Sequence, residues 1–199
     1  MNDVNVLMVG VGGHGVILAS DGMAEIGVNN GYDVKKSDSL GMAQRGGSVV
    51  SHVRWGKHVF SPMIKKGEVD FLLGFEQVEA ARWASYLKPD GVAIVADVVV
   101  IPISAIDGKI PYPSWDEINA ILSAHTDRIY LIPATRIAEE VGNPRAVNMA
   151  MLGFLSVFLE LQPEAWTETM RHRLPPKFME SSIQAFLKGA SEAKAMTSA

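Results

Sequence analysis

Cysteine is absent from this 199-residue chain. That excludes disulfides, thiolate metal sites, cysteine-ligated iron–sulfur clusters and a cysteine nucleophile within it. It is consistent with a reducing compartment, and a cytoplasmic location is expected. Charge is also sparse: Asp, Glu, Lys and Arg make up 20% of the residues, and the net charge is −4. A chain of that sign lacks the basic footprint of a general nucleic-acid binder. The low charged fraction leaves surface for a partner to cover. Long apolar runs are missing too. The longest, Met149 to Leu159, is too short to span a membrane and reads as a buried helix. Met1-Asn2-Asp3 carries no basic leader region, so no signal peptide is expected. No nucleophile elbow, Walker lysine or zinc-protease histidine pair is present.

Apolar residues make up 48% of the chain, enough for a substantial core. Val4–Val9, Val69–Phe75, Val92–Val100 and Arg128–Ile132 read as buried strands, because short apolar runs between turn residues suit a parallel sheet. Val16–Val28 has helical spacing, and a strand near Tyr32–Lys36 completes a β-α-β unit. Ser48–Trp55 alternates, and with a turn at Gly56-Lys57 and a return over His58–Ser61 it reads as an inserted β-hairpin. A second hairpin is expected around Asp107-Gly108. Helices are expected over Glu76–Leu87 (closed by Lys88-Pro89-Asp90-Gly91), Trp115–His125, Ala134–Val141, Asn143–Leu161, Pro163 to before Pro175, and Pro176–Met196. Asn143 is the cap of its helix and Pro144 stands in the first turn. The fold expected is α/β: a three-layer, Rossmann-like, mostly parallel sheet with an inserted β-hairpin and a helical C-terminal part. One domain should cover residues 1–190, and residues 191–199, rich in Ala and Ser, should fray.

Two glycine-rich segments stand out. Gly10, Gly12 and Gly15, with Gly13 and His14 between them, fit G-x-G-x-x-G directly after the first strand. Such a turn aims backbone N–H groups and a helix N-terminus at an anion. It serves equally as a tight turn that binds nothing, or as a contact with a partner chain. The second segment holds Gly41, Arg45, Gly46, Gly47 and Ser48. Glycines let a ligand or another chain approach the backbone, and arginine offers a planar fork for phosphate or carboxylate. A hairpin entry with a solvated arginine is the plainer reading. A dinucleotide site would need an acid at the end of the second strand. That region reads Val34-Lys35-Lys36-Ser37-Asp38, where the lysines suit a 2′-phosphate and Asp38 lies late.

The remaining candidates have structural readings beside functional ones. Glu76, Glu79 and Arg82 read first as a helix stabilised by its own charges, with an acid/base pair as the alternative. Asn148, inside an apolar helix, needs a hydrogen-bond partner. His52 and His58 would meet across the hairpin, but no third ligand is evident, so no metal site is expected.

Five segments in order resemble one family: Gly10-Val-Gly-Gly-His-Gly15, Gly41-Met-Ala-Gln-Arg-Gly-Gly-Ser-Val49, Ser61-Pro-Met-Ile64, Phe75-Glu-Gln-Val-Glu-Ala-Ala-Arg82 and Gly142-Asn-Pro-Arg-Ala-Val-Asn148. Ala185, Phe186 and Gly189 fit as well. The chain resembles the gamma-type domain of 2-oxoacid:ferredoxin oxidoreductases, and most closely the small (beta) subunit of the indolepyruvate enzyme. It departs from the family pattern at His14 (usually Gln), Leu40 (usually His) and Ser182 (often Asn). The resemblance implies a subunit that supports oxidative decarboxylation of an aryl pyruvate to an acyl-CoA and is inactive alone. Thiamine diphosphate, magnesium and iron–sulfur clusters would belong to a larger partner subunit, coenzyme A would accept the acyl group, and ferredoxin would accept the electrons. No tightly bound cofactor, nucleic acid or membrane is expected for this chain. The glycine loops and Arg45 would face a cofactor or the larger subunit. A stand-alone NAD(P)-binding oxidoreductase and a non-catalytic assembly subunit are the alternatives. A homodimer would satisfy the apolar helix as well as a heteromer.

Overall fold

Strand β1 (Val4–Val11) is buried from Val6 onward, and it forms the middle of the molecule. The structure, a computed structural model, describes residues 3–41, 46–101, 111–159 and 161–198. The second hairpin expected around Asp107-Gly108 and the candidate Arg45 lie outside the described residues. Around β1 stand α1 (Val16–Asn29), β2 (Asp33–Leu40), β3 (Ser48–Gly56), β4 (Val69–Gly74), α2 (Gln77–Trp83) and β5 (Leu87–Ala96). The chain continues through α3 (Trp115–Ser123), β6 (Arg128–Ile132), α4 (Ala134–Glu140), α5 (Val147–Ser156), α6 (Pro163–Arg173) and α7 (Pro176–Thr197).

The strands form a six-stranded sheet in the order β2-β3-β1-β4-β5-β6. β1, β4, β5 and β6 run parallel, and β3 runs antiparallel to both β1 and β2. Successive side chains on a strand face opposite ways. Val6, Met8, Val53, Trp55 and Ile94 therefore pack on one face, against α1, α4, α5, α6 and α7. Leu7, Val9, Leu72, Ala93 and Val95 pack on the other, against α2 and α3. This is the expected three-layer α/β plan.

Three local expectations are corrected. The hairpin partner of β3 is β2 rather than residues 58–61, which form no strand. β2 offers a longer antiparallel register, from Asp33 opposite Gly56 to Leu40 opposite Val49. Lys88-Pro89-Asp90-Gly91 lies inside β5, where the register with β4 shifts between Val69 and Phe71, rather than closing a helix. The stretch expected to fray from Ser191 continues α7 to Thr197, because Ala193 is buried against the core.

Helix α5 is buried from Asn148 to Leu155, as its all-round apolar sequence implies. It lies against α7 at backbone distance. A Cβ on Gly153 would stand 1.9 Å from Phe186 O, and one on Gly189 would stand 2.0 Å from Ala150 O. The two glycines let the helices touch, and Phe186 then stacks on Trp166 with ring centroids 5.6 Å apart.

Candidate functional site

The two glycine-rich segments meet at the carboxyl end of β1. Antiparallel pairing sets Val11 opposite Ser48 and Gly10 opposite Val49. Beyond the ladder, Gly12 N donates to Gly47 O at 2.8 Å and Gly46 N donates to Gly12 O at 3.4 Å. Gly41 N closes the base of the second loop by donating to Ser48 O at 3.1 Å. Segments more than thirty residues apart thus form one backbone-lined surface. Gly10, Gly12, Gly13, His14, Gly15, Gly41, Gly46, Gly47 and Ser48 are brought together there.

Gly15 is the left-handed cap of α1, with φ 76°, and offers no side-chain cap. The first turn of α1 carries no acidic residue. Its amide N–H groups are therefore aimed at the end of the sheet without a carboxylate beside them, an arrangement compatible with an anion. Asn148 Nδ2 donates to Gly15 O at 3.4 Å. This is the partner that an asparagine in an apolar helix requires, and it ties α5 to the turn.

Below the second loop lies a buried polar cluster. Ser48 Oγ donates to Glu79 Oε2 at 2.6 Å, and Arg82 Nε stands 3.3 Å from Glu79 Oε1. Glu76 caps α2: its Oε2 accepts from Glu79 N at 2.9 Å. Its Oε1 accepts from Val100 N at 3.2 Å and from the Tyr112 hydroxyl at 2.5 Å. Burial, and then the Glu76 carboxylate, push the Tyr112 phenol well above its ordinary value, so it stays a donor. Glu76 and Glu79 are thus consumed by structural bonds, in line with the charge-stabilised helix. Tyr112 carried no signal in the sequence, since it lies in a proline-rich stretch without periodicity.

The other candidates separate from this surface. Lys35 pairs with Asp33, and Lys36 pairs with Asp21 at 2.6 Å and Asp38 at 2.5 Å. β3 also stands between β1 and β2. The end of β2 is therefore two strand spacings, about 10 Å, from the first glycine turn, and its lysines are already neutralised. His52 is buried and its Nδ1 accepts from Ile64 N at 3.2 Å. Burial, and then Arg54, hold its pKa below the ordinary histidine value. His58 is exposed beyond β3. Among the described residues no group of three or more His, Asp or Glu is placed to hold a metal ion. No described helix is long and apolar enough to cross a membrane.

An open, mostly parallel α/β sheet of this order belongs to the broad class of Rossmann-like folds. The particular family is more specific. The model of the pyruvate ferredoxin/flavodoxin oxidoreductase family matches residues 5–192, and the chain belongs to that family. The indolepyruvate oxidoreductase subunit IorB of Thermococcus kodakarensis is 33% identical over 199 residues, covering 98% of each chain. The ketoisovalerate oxidoreductase subunit VorA of Methanothermobacter marburgensis is 25% identical over 96% of this chain but only 37% of its own length. Among solved structures, the gamma subunit of a keto/oxoacid ferredoxin oxidoreductase from Geobacter sulfurreducens superposes with a TM-score of 0.71 at 25% identity, covering 96% and 99% of the two chains.

Proposed function

We propose that this chain is the small, cluster-free subunit of a cytoplasmic, thiamine-dependent 2-oxoacid:ferredoxin oxidoreductase that takes an aryl pyruvate such as indolepyruvate. Membership of the family and near full-length likeness to IorB subunits support a place in a 2-oxoacid oxidoreductase complex. The absence of cysteine from these residues agrees with cysteine-ligated clusters being borne by a partner. When bound by the partner, thiamine diphosphate would supply the decarboxylation chemistry.

The observation that carries the role of this chain is the fusion of the two glycine loops through Gly12, Gly46 and Gly47. The fused surface is lined by backbone, and Arg45, outside the described residues, directly precedes Gly46 in the sequence. It would receive the phosphate-bearing end of coenzyme A or the face of the larger subunit. Ser48, held by Glu79, would fix the second loop in register. Glu79 would position this surface through Ser48, and Glu76 would support it by capping the helix that carries Glu79.

The test is reconstitution with the larger subunit from the same cells. The complex should reduce ferredoxin only when a 2-oxoacid and coenzyme A are both supplied, and indolepyruvate should be preferred over pyruvate. Arg45→Ala should weaken assembly or raise the KM for coenzyme A while this chain stays folded. Wild-type assembly and turnover in that variant would remove Arg45 from the site. A wild-type complex without oxidoreductase activity would refute the functional reading.

A further inference from the structure

At the end of the sheet opposite the glycine loops, where β1, β4, β5 and β6 begin, lies a cavity of about 380 Å³. That is the size of a small-ligand pocket, roughly 300–1,000 Å³. The functional reading leaves it without a role. Strand pairing builds one side of it: Val4 pairs with Trp55, Phe71 with Val92, and Val92 with Arg128. The turn after α5 contributes Phe158, Leu159 and Leu161.

Aromatic rings form much of the wall. The Phe71 and Phe158 ring centroids stand 5.9 Å apart, and those of Tyr32 and Trp55 stand 5.3 Å apart. Tyr32, Phe71 and Phe158 are only half-buried, so apolar surface remains for a ligand to cover. A further aromatic ring would gain from edge or offset contacts there as well as from leaving water.

The rim carries both signs of charge. Lys88 Nζ stands 2.5 Å from Asp70 Oδ1 and 3.6 Å from Asp90 Oδ1. Asn5 N donates to Asp70 Oδ2 at 2.7 Å, so the Lys88–Asp70 pair is largely closed on itself. The Asp90 carboxylate is 79% exposed. Arg128 Nη1 donates to the Asp90 backbone carbonyl at 3.2 Å, a bond that leaves the guanidinium charge in place. The same guanidinium stands 5.8 Å from the Phe158 ring centroid. A cation, a carboxylate and an aromatic wall thus meet at one corner of the cavity, and Asp3 adds a second carboxylate to its lining.

These groups discriminate among aryl ligands. A purely anionic aryl acid would meet Asp3, Asp70 and Asp90, and a purely cationic aryl amine would meet Arg128 and Lys88. Like charges brought together in a half-buried site repel. A ligand carrying both signs meets each with its opposite. We infer that the cavity is a binding site for a free aromatic α-amino acid, with its ring against Phe71 and Phe158, its carboxylate at Arg128 and its ammonium at Asp90. The planar guanidinium fork suits the carboxylate. This inference goes beyond the functional reading and does not rest on it.

The experiment is calorimetric titration of the intact chain with L-phenylalanine, beside 3-phenylpropionate, phenethylamine and L-alanine, which lack in turn the ammonium, the carboxylate and the ring. L-Phenylalanine should bind saturably at one site per chain, and each analogue should bind about tenfold or more weakly. Arg128→Gln and Asp90→Asn change exposed side chains and should keep the wild-type melting temperature. Each should weaken L-phenylalanine binding about tenfold or more. No saturable binding of L-phenylalanine at millimolar concentration would overturn the inference. Equal or tighter binding of either singly charged analogue would overturn it too, and this comparison needs no variant. Wild-type affinity in both variants would place the ligand elsewhere, with the same result. Binding as described in a chain that forms no active oxidoreductase complex would remove the functional reading and leave the amino-acid site standing.

Discussion

Ser48 Oγ donates a 2.6 Å hydrogen bond to Glu79 Oε2, joining the second glycine loop to the first turn of α2 across thirty-one positions of sequence. Glu79 is nearly buried, so removing its donor leaves a poorly compensated carboxylate. Ser48→Ala should lower the free energy of unfolding by about 1–3 kcal/mol, measured by chemical denaturation. In the reconstituted complex Glu79→Ala should impair turnover more than Glu79→Gln, whose amide oxygen still accepts from Ser48. Equal kinetics for the two variants would show that the contact does not position the loop.

Gly15 and Asn148 make a second prediction. A Cβ at Gly15 would lie 2.5 Å from Asn148 Nδ2, and the backbone there has φ 76°. Gly15→Ala should destabilise by about 1–3 kcal/mol from the backbone conformation alone, with steric cost added. Combining it with Asn148→Ala should recover only the steric part, because the positive φ persists. Full recovery in a thermal melt would mean that conformational strain contributes nothing.

The contact between α5 and α7 is less forgiving. At Gly153 and Gly189 the neighbouring groups are backbone carbonyls, at 1.9 Å and 2.0 Å from the built Cβ, and backbone cannot rotate away as a side chain can. Either glycine to alanine should cost at least about 3 kcal/mol, at the upper end of overpacking effects. Separation of the helices would also uncover Trp166 and Phe186. A melting temperature within a degree or two of wild type would contradict this packing.

His52 sets an acid limit. Its Nδ1 accepts a hydrogen bond from Ile64 N, which requires the neutral ring, and burial lowers its pKa below the ordinary 6.5. The unfolded chain therefore binds the proton more readily. Stability from this group is complete above the unfolded value and is lost as pH falls from there through the folded value. His52→Gln keeps an acceptor for Ile64 N but cannot titrate. The variant should show a flatter stability profile as pH falls below the ordinary histidine value of 6.5. An unchanged acid slope would assign the loss to other groups.

How much could be read in advance depended on how local each feature is. β6 matches its expected bounds, and the buried identity of β1, β4 and α5 follows from apolar runs that admit no solvent-facing side. The helix start at Glu76 and the turn at Gly10–Gly15 are likewise local, set by nearby backbone geometry. The partner of β3 was not legible. β2 and residues 58–61 both follow or precede it closely, and the choice is made by ladder length and by the strand to which β1 can also pair. Nor could the sequence join Tyr112 to Glu76 or set Phe60 in solvent, since alternation alone leaves that side chain free to pack.

Composition and periodicity thus determined the α/β class, the buried helix α5, the absence of thiol chemistry and the presence of two backbone-permissive loops. Tertiary structure alone decided that β3 inserts antiparallel between β1 and β2, and that this insertion carries the second loop onto the first through Gly12, Gly46 and Gly47. The physical reason is that strand pairing and buried hydrogen bonds are satisfied by groups distant in sequence. Which groups meet is settled by the packing of the whole sheet.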